Sequence, residues 1–335
     1  MRIGILGAGA LGSLFAARLK FAGHQVQVVA RGEQREIIAE KGIQLHGGYG
    51  EIVAKVDVVD AFADVDVVFV CTKAHDTDEA MRDHRDELQG IPVVLVQNGV
   101  EGLAIASQYV QPERVFGAIT LIAANFTEPG VVRVTNPQPT FIGRNRGPAD
   151  AESYELAALL NSAVPTTAID EFEGALWTKL VLNMVNAIPA ITGWSVQRVV
   201  EDPFSLHLMA ASMREAARVG LAAQVQFAEL EGLDATVILK LARWPLWRSK
   251  RIPRDIGRGM GPVPNLASTL QSIRRGRTTE IEFLNGAIVR TAESLGMDAP
   301  INRAITELVH QVEITGRHLW GITLETALRD RGVRW

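Results

Sequence analysis

Three polar side chains on one predicted helix face are the strongest candidates for chemistry. Lys179, Asn183 and Asn186 stand at positions i, i+4 and i+7 of an otherwise apolar run, so one helix places them on a common face. A buried lysine can have a lowered pKa and transfer a proton, and asparagine amides can orient a carbonyl or hydroxyl group. Polar networks without chemistry also occur in protein interiors. The residues alone therefore leave a structural network between domains as an open alternative.

A second polar segment contributes a hydroxyl and a carboxylate. Ser268 lies near the start of one predicted helix, and Glu280 lies in the first turn of another, predicted over residues 280–295. Thr278 or Thr279 is the predicted cap of this second helix. A carboxylate in a first turn interacts favourably with the helix dipole. Capping alone would therefore account for Glu280, and a catalytic role needs further support.

A glycine-rich turn near the N-terminus predicts a dinucleotide site. It follows an apolar strand at residues 2–6 and opens a helix, which is the context that the GxGxxG motif requires. The first glycine permits the tight turn, the second lets the backbone approach a pyrophosphate, and the third lets the helix pack closely on the sheet. The free N–H groups of the helix start favour the same anion. The predicted cofactor-binding residues are Gly7, Ala8, Gly9, Ala10, Leu11 and Gly12.

The end of the second predicted strand separates NADP from NAD. An NAD enzyme usually places Asp or Glu there for the ribose 2′-hydroxyl, whereas this chain has Arg31. Arginine suits a 2′-phosphate through forked, charge-assisted hydrogen bonds. Arg31 therefore predicts NADPH. Glu33 lies close to the usual spacing of the acidic ribose ligand and keeps NAD as an alternative.

Two further loops follow strands and contain candidate ligand contacts. Lys73 follows the strand predicted at residues 65–70, and Asn98 follows the strand predicted at 92–96. Open α/β sheets bind ligands at these strand ends. Lys73 could neutralise a phosphate or carboxylate, and Asn98 offers a donor and an acceptor. Solvation of Lys73 and a simple Asn-Gly turn at Asn98 are the alternatives.

The order of elements predicts an α/β protein with two domains. Alternating strands and helices indicate an N-terminal Rossmann-type doubly wound parallel sheet, with a hairpin at residues 43–46 and 52–56. A second, mainly α-helical domain follows. The predicted domains are 1–167, which binds NADP, and 168–335, which carries the substrate and catalytic residues. The predicted long helices are 151–163, 172–187, 204–223, 267–275, 280–295 and 302–316.

The composition narrows the class of protein. The chain has 335 residues, a formal charge of −4 and one cysteine, Cys71. This balance argues against nucleic-acid or membrane-coating proteins, and a single cysteine excludes an internal disulfide framework and a cysteine-based zinc cluster. No metal site is predicted. No apolar run is expected to reach the about 20 residues that span a bilayer, so the prediction is a cytoplasmic protein. The basic stretch at 243–258 is interpreted as a loop over the helical domain.

Taken together, the motifs resemble a known family, the ketopantoate reductases (2-dehydropantoate 2-reductases). The resemblance extends over nearly the whole chain, and the motifs fall in the expected order in both predicted domains. The lysine–asparagine helix combined with the last motif is much more specific than the glycine turn. The motifs are GAGALG, CTKA, QNGVEG, LWTKLVLN and STLQSIRRGRTTEIEFLNG.

The resemblance implies an activity and a role for each candidate residue. NADPH would deliver hydride to the carbonyl carbon of a 2-oxo acid, as in the reduction of ketopantoate to pantoate in pantothenate and coenzyme A biosynthesis. Lys179 would be the general acid, and Glu280 would organise the site and the lysine and would also contact the cofactor. The remaining implied contacts are Asn98, Asn183, Asn186 and Ser268 for the substrate, and Arg31, Lys73 and Asn98 for the cofactor.

Departures from the family pattern concern the substrate side. The family commonly has an asparagine eight residues after the lysine, followed by proline, whereas this chain has Ala187 and Ile188, with Asn186 one position early. Ser272 replaces a common aspartate. The substrate alternatives are another 2-oxo acid, a 3-oxo acid or an imine, and the alternative class is an NADPH-binding redox sensor without turnover. A homodimer is an open possibility.

Overall fold

The structure is a computed structural model that describes residues 1–144, 146–230 and 234–334. The chain divides into two compact units, Met1–Phe172 and Glu173–Trp335. The division lies five residues after the 167/168 boundary that the sequence predicts. Helix 151–161 lies within the first unit.

In its described residues, the first unit contains two sheets and five α-helices that end within it. Its strands are β1 (Arg2–Leu6), β2 (Gln25–Val29), β3 (Ile43–Gly47), β4 (Ile52–Ala54), β5 (Asp57–Val59), β6 (Val67–Val70), β7 (Val93–Val96), β8 (Val115–Thr120), β9 (Ala123–Glu128), β10 (Val131–Asn136), β11 (Thr140–Arg144) and β12 (Thr166–Ala168). Its helices are α1 (Ala10–Phe21), α2 (Gly32–Lys41), α3 (Thr77–Asp83), α4 (Gly102–Ala106) and α5 (Ala151–Asn161).

The larger sheet has the order β12-β11-β8-β7-β6-β1-β2-β5. Its pairs are parallel except β8 with β11. Strands β6 and β7 consist of valine, phenylalanine and leucine and are buried throughout, as expected for parallel strands covered on both faces. The predicted α/β class with a Rossmann-type sheet is confirmed. Because β1 lies between β2 and β6, the strand order reverses at β1, and such a switch point opens a ligand crevice.

A smaller sheet, in the order β4-β3-β10-β9, contains the predicted hairpin. Strand β3 pairs antiparallel with β4, with Ile43 opposite Ala54. Strands β9 and β10 were not predicted. Strand β9 is exposed or only half-buried along its length, so it lacks the apolar pattern that marks the buried strands.

The second unit is helical, as predicted. Helix α6 begins at the last residue of the first unit. The helices are α6 (Phe172–Asn183), α7 (Ala187–Thr192), α8 (Val196–Glu201), α9 (Pro203–Ala222), α10 (Ala235–Arg243), α11 (Leu246–Ser249), α12 (Arg251–Gly259), α13 (Ser268–Arg274), α14 (Asn285–Ser294), α15 (Pro300–Thr315) and α16 (Gly321–Asp330).

The continuous helix predicted over 172–187 is wrong. Helix α6 ends at Asn183, a 3₁₀ turn covers Met184–Asn186, and α7 starts at Ala187. Pro189 accounts for the break. It has no N–H to donate to the carbonyl of Val185, and its ring would clash with that carbonyl in a continuous helix.

Two other predicted elements also differ from the structure. The helix predicted over 280–295 is a 3₁₀ turn at Ile281–Phe283 followed by α14, and Leu284 between them has φ −107° and ψ −92°. Glu280 therefore precedes a 3₁₀ turn and does not lie in the first turn of a long helix. The stretch 243–258, interpreted as a loop, forms α11 and most of α12. The prediction of a loop relied on the basic, tryptophan-containing composition of this stretch and did not consider helical spacing of its apolar residues.

Candidate functional site

The glycine turn between β1 and α1 has two glycines that the fold requires and one that it does not. Gly7 has φ +98°, and a Cβ at Gly12 would lie 1.9 Å from the carbonyl oxygen of Gly7. A Cβ at Gly9 would meet nothing within 4 Å. Helix α1 starts at Ala10, directly after Gly9, and no side chain caps its first N–H groups. Open space and uncapped N–H groups suit an anion such as a pyrophosphate.

Side chains outside the motif hold this turn in place. Ser13 Oγ donates to the carbonyl oxygen of Ala8 at 3.0 Å, and Gln34 Nε2 donates to the same oxygen at 2.8 Å. Gln34 Oε1 accepts from the N–H of Gly130 at 2.7 Å. Gln34 was not predicted, because its contacts come from segments far apart in the chain. The glycine turn is therefore connected to both α2 and the β9–β10 hairpin.

Arg31 follows β2 and lies on the surface. Its guanidinium lies 3.5 Å from Glu79 and 3.4 Å from Asp83, both on α3, and 64% of its side chain is exposed. Exposed ion pairs of this length contribute little to stability. The guanidinium can therefore change partners at small cost. Glu33 is exposed in the first turn of α2.

Hydrogen bonds join the loops that carry Lys73 and Asn98 at the ends of two neighbouring strands. Strand β6 pairs with β7, with Val70 opposite Leu95. Gln97 Nε2 donates to the carbonyl oxygen of Thr72 at 3.1 Å and to its hydroxyl at 3.2 Å, and it also donates to Thr77 Oγ1. Lys73 and Asn98 are each next to this network, and both are half-buried. Gln97 is a positioning residue that the sequence analysis did not single out.

In the second unit the structure brings two of the predicted polar residues into contact. Asn186 Nδ2 donates to Asn183 Oδ1 at 3.2 Å. Asn183 Nδ2 is buried and makes no hydrogen bond within the described residues. Lys179 lies one turn earlier on α6 and is half-buried, while its neighbours Thr178 and Leu180 are fully buried. The helix thus presents a donor of Asn183 that a ligand can use.

Ser268 and Glu280 lie on separate segments of the second unit. Ser268 is exposed at the start of α13, directly after Ala267, which has φ +56° although it is not glycine. Such backbone conformations cost energy and cluster at functional sites. Glu280 is half-buried, and the residues on both sides, Thr279 and Ile281, are 5% and 1% exposed. Burial of both neighbours restricts the backbone that carries the Glu280 carboxylate.

A buried polar cluster anchors the start of α14 and was not predicted. Asn285 Nδ2 donates to Asn302 Oδ1 at 2.8 Å, and Ser212 Oγ donates to the same oxygen at 2.7 Å. Glu215 accepts from the N–H groups of Ile301 and Asn302 at the start of α15, at 3.1 and 2.7 Å. Burial raises the pKa of Glu215, although these donors oppose the shift. The cluster connects α9, α14 and α15.

Among the described residues, one helical run, Phe172–Thr192, is long and apolar enough to cross a membrane, contrary to the sequence expectation. Most of this run is buried inside the protein, 78% over an 18-residue stretch. Burial of this kind is typical of a core helix. Over residues 1–144, 146–230 and 234–334, no group of three or more His, Cys, Asp or Glu side chains is arranged to hold a metal ion.

Both halves of the chain match one family. Residues 3–147 match the family described as Ketopantoate reductase PanE/ApbA, and residues 171–313 match Ketopantoate reductase PanE/ApbA C terminal. A 2-dehydropantoate 2-reductase of Archaeoglobus fulgidus is 32% identical over 314 residues, which are 93% of this chain and 98% of that protein.

Two solved structures have the same fold. The PanE/ApbA family ketopantoate reductase of Ralstonia eutropha JMP134 has a TM-score of 0.80 at 29% identity, over 95% of this chain and 100% of that one. A D-mandelate dehydrogenase solved with NADH and anilino(oxo)acetate has a TM-score of 0.81 at 23% identity, over 94% and 99%. At that identity, the second likeness concerns the fold alone.

Proposed function

This chain belongs to the ketopantoate reductase family, and on that premise we propose that it reduces ketopantoate to pantoate with NADPH. The family membership expected from the sequence motifs is confirmed. The observation that carries the proposal is the match of both halves of the chain, in order, to the two family segments. The reaction belongs to pantothenate and coenzyme A biosynthesis.

The residues of the first unit fit a dinucleotide. The open space before Gly9 and the uncapped start of α1 would take the pyrophosphate, and the exposed guanidinium of Arg31 would take the 2′-phosphate. Lys73 and Asn98 would contact the cofactor from neighbouring strand ends. NADPH is the cofactor of ketopantoate reductases, in agreement with the prediction from Arg31. When bound, it supplies the hydride.

The residues of the second unit would supply the proton and hold the substrate. Hydride addition leaves negative charge on the substrate oxygen, and the Lys179 ammonium would donate a proton there, so that the ketone becomes an alcohol. Lys179 would then regain its proton from water. Asn183 would donate to the substrate through its unpartnered Nδ2, and Asn186 would orient that amide. Ser268 would also bind the substrate, and Glu280 would organise the site.

The choice of substrate depends on few polar groups. Ala187, at the position of the family's second asparagine, is 1% exposed and apolar, so the asparagine amides of this segment are Asn183 and Asn186. A smaller or differently substituted 2-oxo acid is therefore the second candidate substrate. We further propose that residues 1–167 bind the cofactor and 168–335 the substrate. We also propose that the enzyme is cytoplasmic and acts without nucleic acid or a membrane. Light scattering would test whether it forms a homodimer.

An NADPH oxidation assay with ketopantoate and a panel of other 2-oxo acids tests the reaction. We expect ketopantoate to have the highest kcat/KM of the panel. A higher kcat/KM with another 2-oxo acid would reassign the substrate and retain the reaction type. No turnover with any of them would contradict the reductase proposal and favour an NADPH-binding sensor.

Arg31→Ala is expected to weaken NADPH binding much more than NADH binding. Loss of a charge-assisted contact to the 2′-phosphate costs about 1.5–3 kcal/mol, which corresponds to roughly 10- to 100-fold in Kd. Binding titrations with both nucleotides measure the change. Arg82→Ala is the matched control, because Arg82 is also exposed and approaches Asp83. An unchanged preference in Arg31→Ala would move the cofactor assignment toward Glu33 and NAD.

A further inference from the structure

Two side chains on α15, His310 and Glu313, form hydrogen bonds with the segment that contains Glu280. His310 Nδ1 lies 2.7 Å from Glu313 Oε2 on the same helix, and His310 Nε2 lies 2.8 Å from Glu282 Oε1. Glu282 also accepts from Arg290 Nη1 at 3.2 Å, and its backbone oxygen accepts from Arg290 Nη2 at 2.7 Å. We call His310, Glu282 and Glu313 the histidine clamp. Within this clamp, His310 binds Glu282, which lies two positions after Glu280.

The second contact of the histidine clamp is with the residue directly before Glu280. Glu313 Oε1 accepts from the N–H of Thr279 at 2.7 Å, and the carboxylate also interacts with the Thr279 hydroxyl. Thr279 and Glu282 are thus connected through one imidazole ring. The backbone of Glu280 lies between these two anchored positions, so its orientation depends on both.

Both contacts of the ring require a charged histidine. A neutral imidazole has one N–H donor and one acceptor nitrogen, whereas the imidazolium has two donors. Both carboxylates only accept hydrogen bonds when ionised. With neutral His310, one ring nitrogen would face a carboxylate oxygen without a proton between them. One of the two contacts would then weaken or break.

The surroundings favour the charged form. Partial burial is the largest single influence on His310 and lowers its pKa, but the hydrogen bonds and charges of Glu282 and Glu313 together outweigh it and raise the pKa above 6.5. The pKa of Glu313 is lowered, because its bonds to Thr279 and His310 outweigh burial. Both directions agree with an ionised carboxylate beside an imidazolium.

Other charged groups near α15 lie elsewhere along it. Helix α7, which packs on α15, has no charged residue. On α9, Glu215 binds the first turn of α15. Arg331 binds Glu307 and Gln311. Among the described residues, the charged groups that interact with His310 are therefore Glu282 and Glu313, and Arg290 binds Glu282.

We propose that charged His310 is a positioning residue that holds Glu280 in the catalytic arrangement, and that loss of its proton releases one side of the segment. The inference rests on the catalytic role proposed for Glu280. Because the pKa of His310 is raised in the folded protein, the clamp is complete below about 6.5 and is lost as the pH rises through the raised value. The turnover number is therefore expected to have an alkaline limb to which His310 contributes, and the His310 variants identify its share.

His310→Gln tests the proposal, because glutamine is uncharged and its one donor nitrogen cannot replace the two ring nitrogens that contact Glu313 and Glu282. We expect kcat to fall about 10-fold or more, because small misplacements of catalytic groups have effects of this order, while the Kd of NADPH is unchanged. His310→Arg keeps a permanent charge and is expected to shift the alkaline limb upward. Glu282→Gln provides a second break of the clamp if His310→Gln folds poorly. Arg303→Gln is the control, because it removes ion pairs to Glu293 and Asp298 at the other end of α15.

Two further measurements do not need turnover. An NMR titration is expected to place the His310 pKa above 6.5, and exchange of the Thr279 amide hydrogen is expected to accelerate in His310→Gln. Wild-type kcat and an unchanged pH profile in His310→Gln would overturn the proposal, as would an unshifted alkaline limb in His310→Arg. If the wild-type protein reduces no 2-oxo acid, the proposed function fails, while the titration and the exchange rates still decide whether the clamp exists.

Discussion

Lys179→Ala is expected to lower kcat about 10²- to 10⁴-fold, the usual contribution of a general acid. In the proposed role, the ammonium protonates the oxygen that becomes negative on hydride addition and stabilises its charge, and the alanine variant loses both contributions. The Kd of NADPH is expected to remain unchanged, because the glycine turn and Arg31 belong to the first unit. Steady-state kinetics with saturating NADPH and a separate binding titration measure the two effects.

Two other lysine variants make the Lys179 result specific. Lys179→Arg keeps the charge but holds its proton too strongly to transfer it well, so it is expected to recover substrate binding and little of kcat. Lys240→Ala, which removes a lysine 5.7 Å from the Trp244 ring on α10, is expected to retain wild-type kcat. Equal losses of kcat and NADPH affinity in Lys179→Ala would refute its role as the acid.

Alanine at Gly12 and alanine at Gly9 are expected to have opposite effects on stability. At Gly12 the new Cβ would lie 1.9 Å from the Gly7 carbonyl oxygen and 3.0 Å from the Cys71 Cβ. Overpacking of this kind costs about 1–3 kcal/mol or more, so Gly12→Ala is expected to lower the free energy of unfolding and the yield of folded protein. Thermal and denaturant unfolding provide the measurement.

Gly9→Ala is expected to fold normally and still bind NADPH poorly. Gly9 has φ −73° and a Cβ there meets no protein atom within 4 Å, so alanine restricts the unfolded chain and can stabilise by about 0.4–1 kcal/mol. The same Cβ enters the space assigned to the pyrophosphate. Loss of its charge-assisted hydrogen bonds, about 1.5–3 kcal/mol, weakens binding roughly 10- to 100-fold. Wild-type NADPH affinity in Gly9→Ala would contradict this site.

The sequence by itself determined the class of fold and the position of the dinucleotide turn. The valine-rich strands β6 and β7 are recognisable because burial on both faces demands a continuous apolar run. The turn from Gly7 to Gly12 is recognisable because its tight backbone needs glycine at positions only a few residues apart in the chain. The candidates Lys179 and Asn183 were also predicted from local spacing, since four residues make one helical turn. In each case the physical cause acts within a few residues along the chain.

Only the tertiary structure decided how those elements are interrupted and supported. Pro189 disfavours one continuous helix, but only the folded chain shows where the break falls, in a 3₁₀ turn at Met184–Asn186 with α7 starting at Ala187. Gln97 reaches Thr72 across 25 positions, and His310 reaches Glu282 across 28. Hydrogen bonds between such distant residues leave no period or motif in the sequence. They form only when packing of apolar faces brings the segments together, and so the surroundings of Glu280 could be described only in the folded chain.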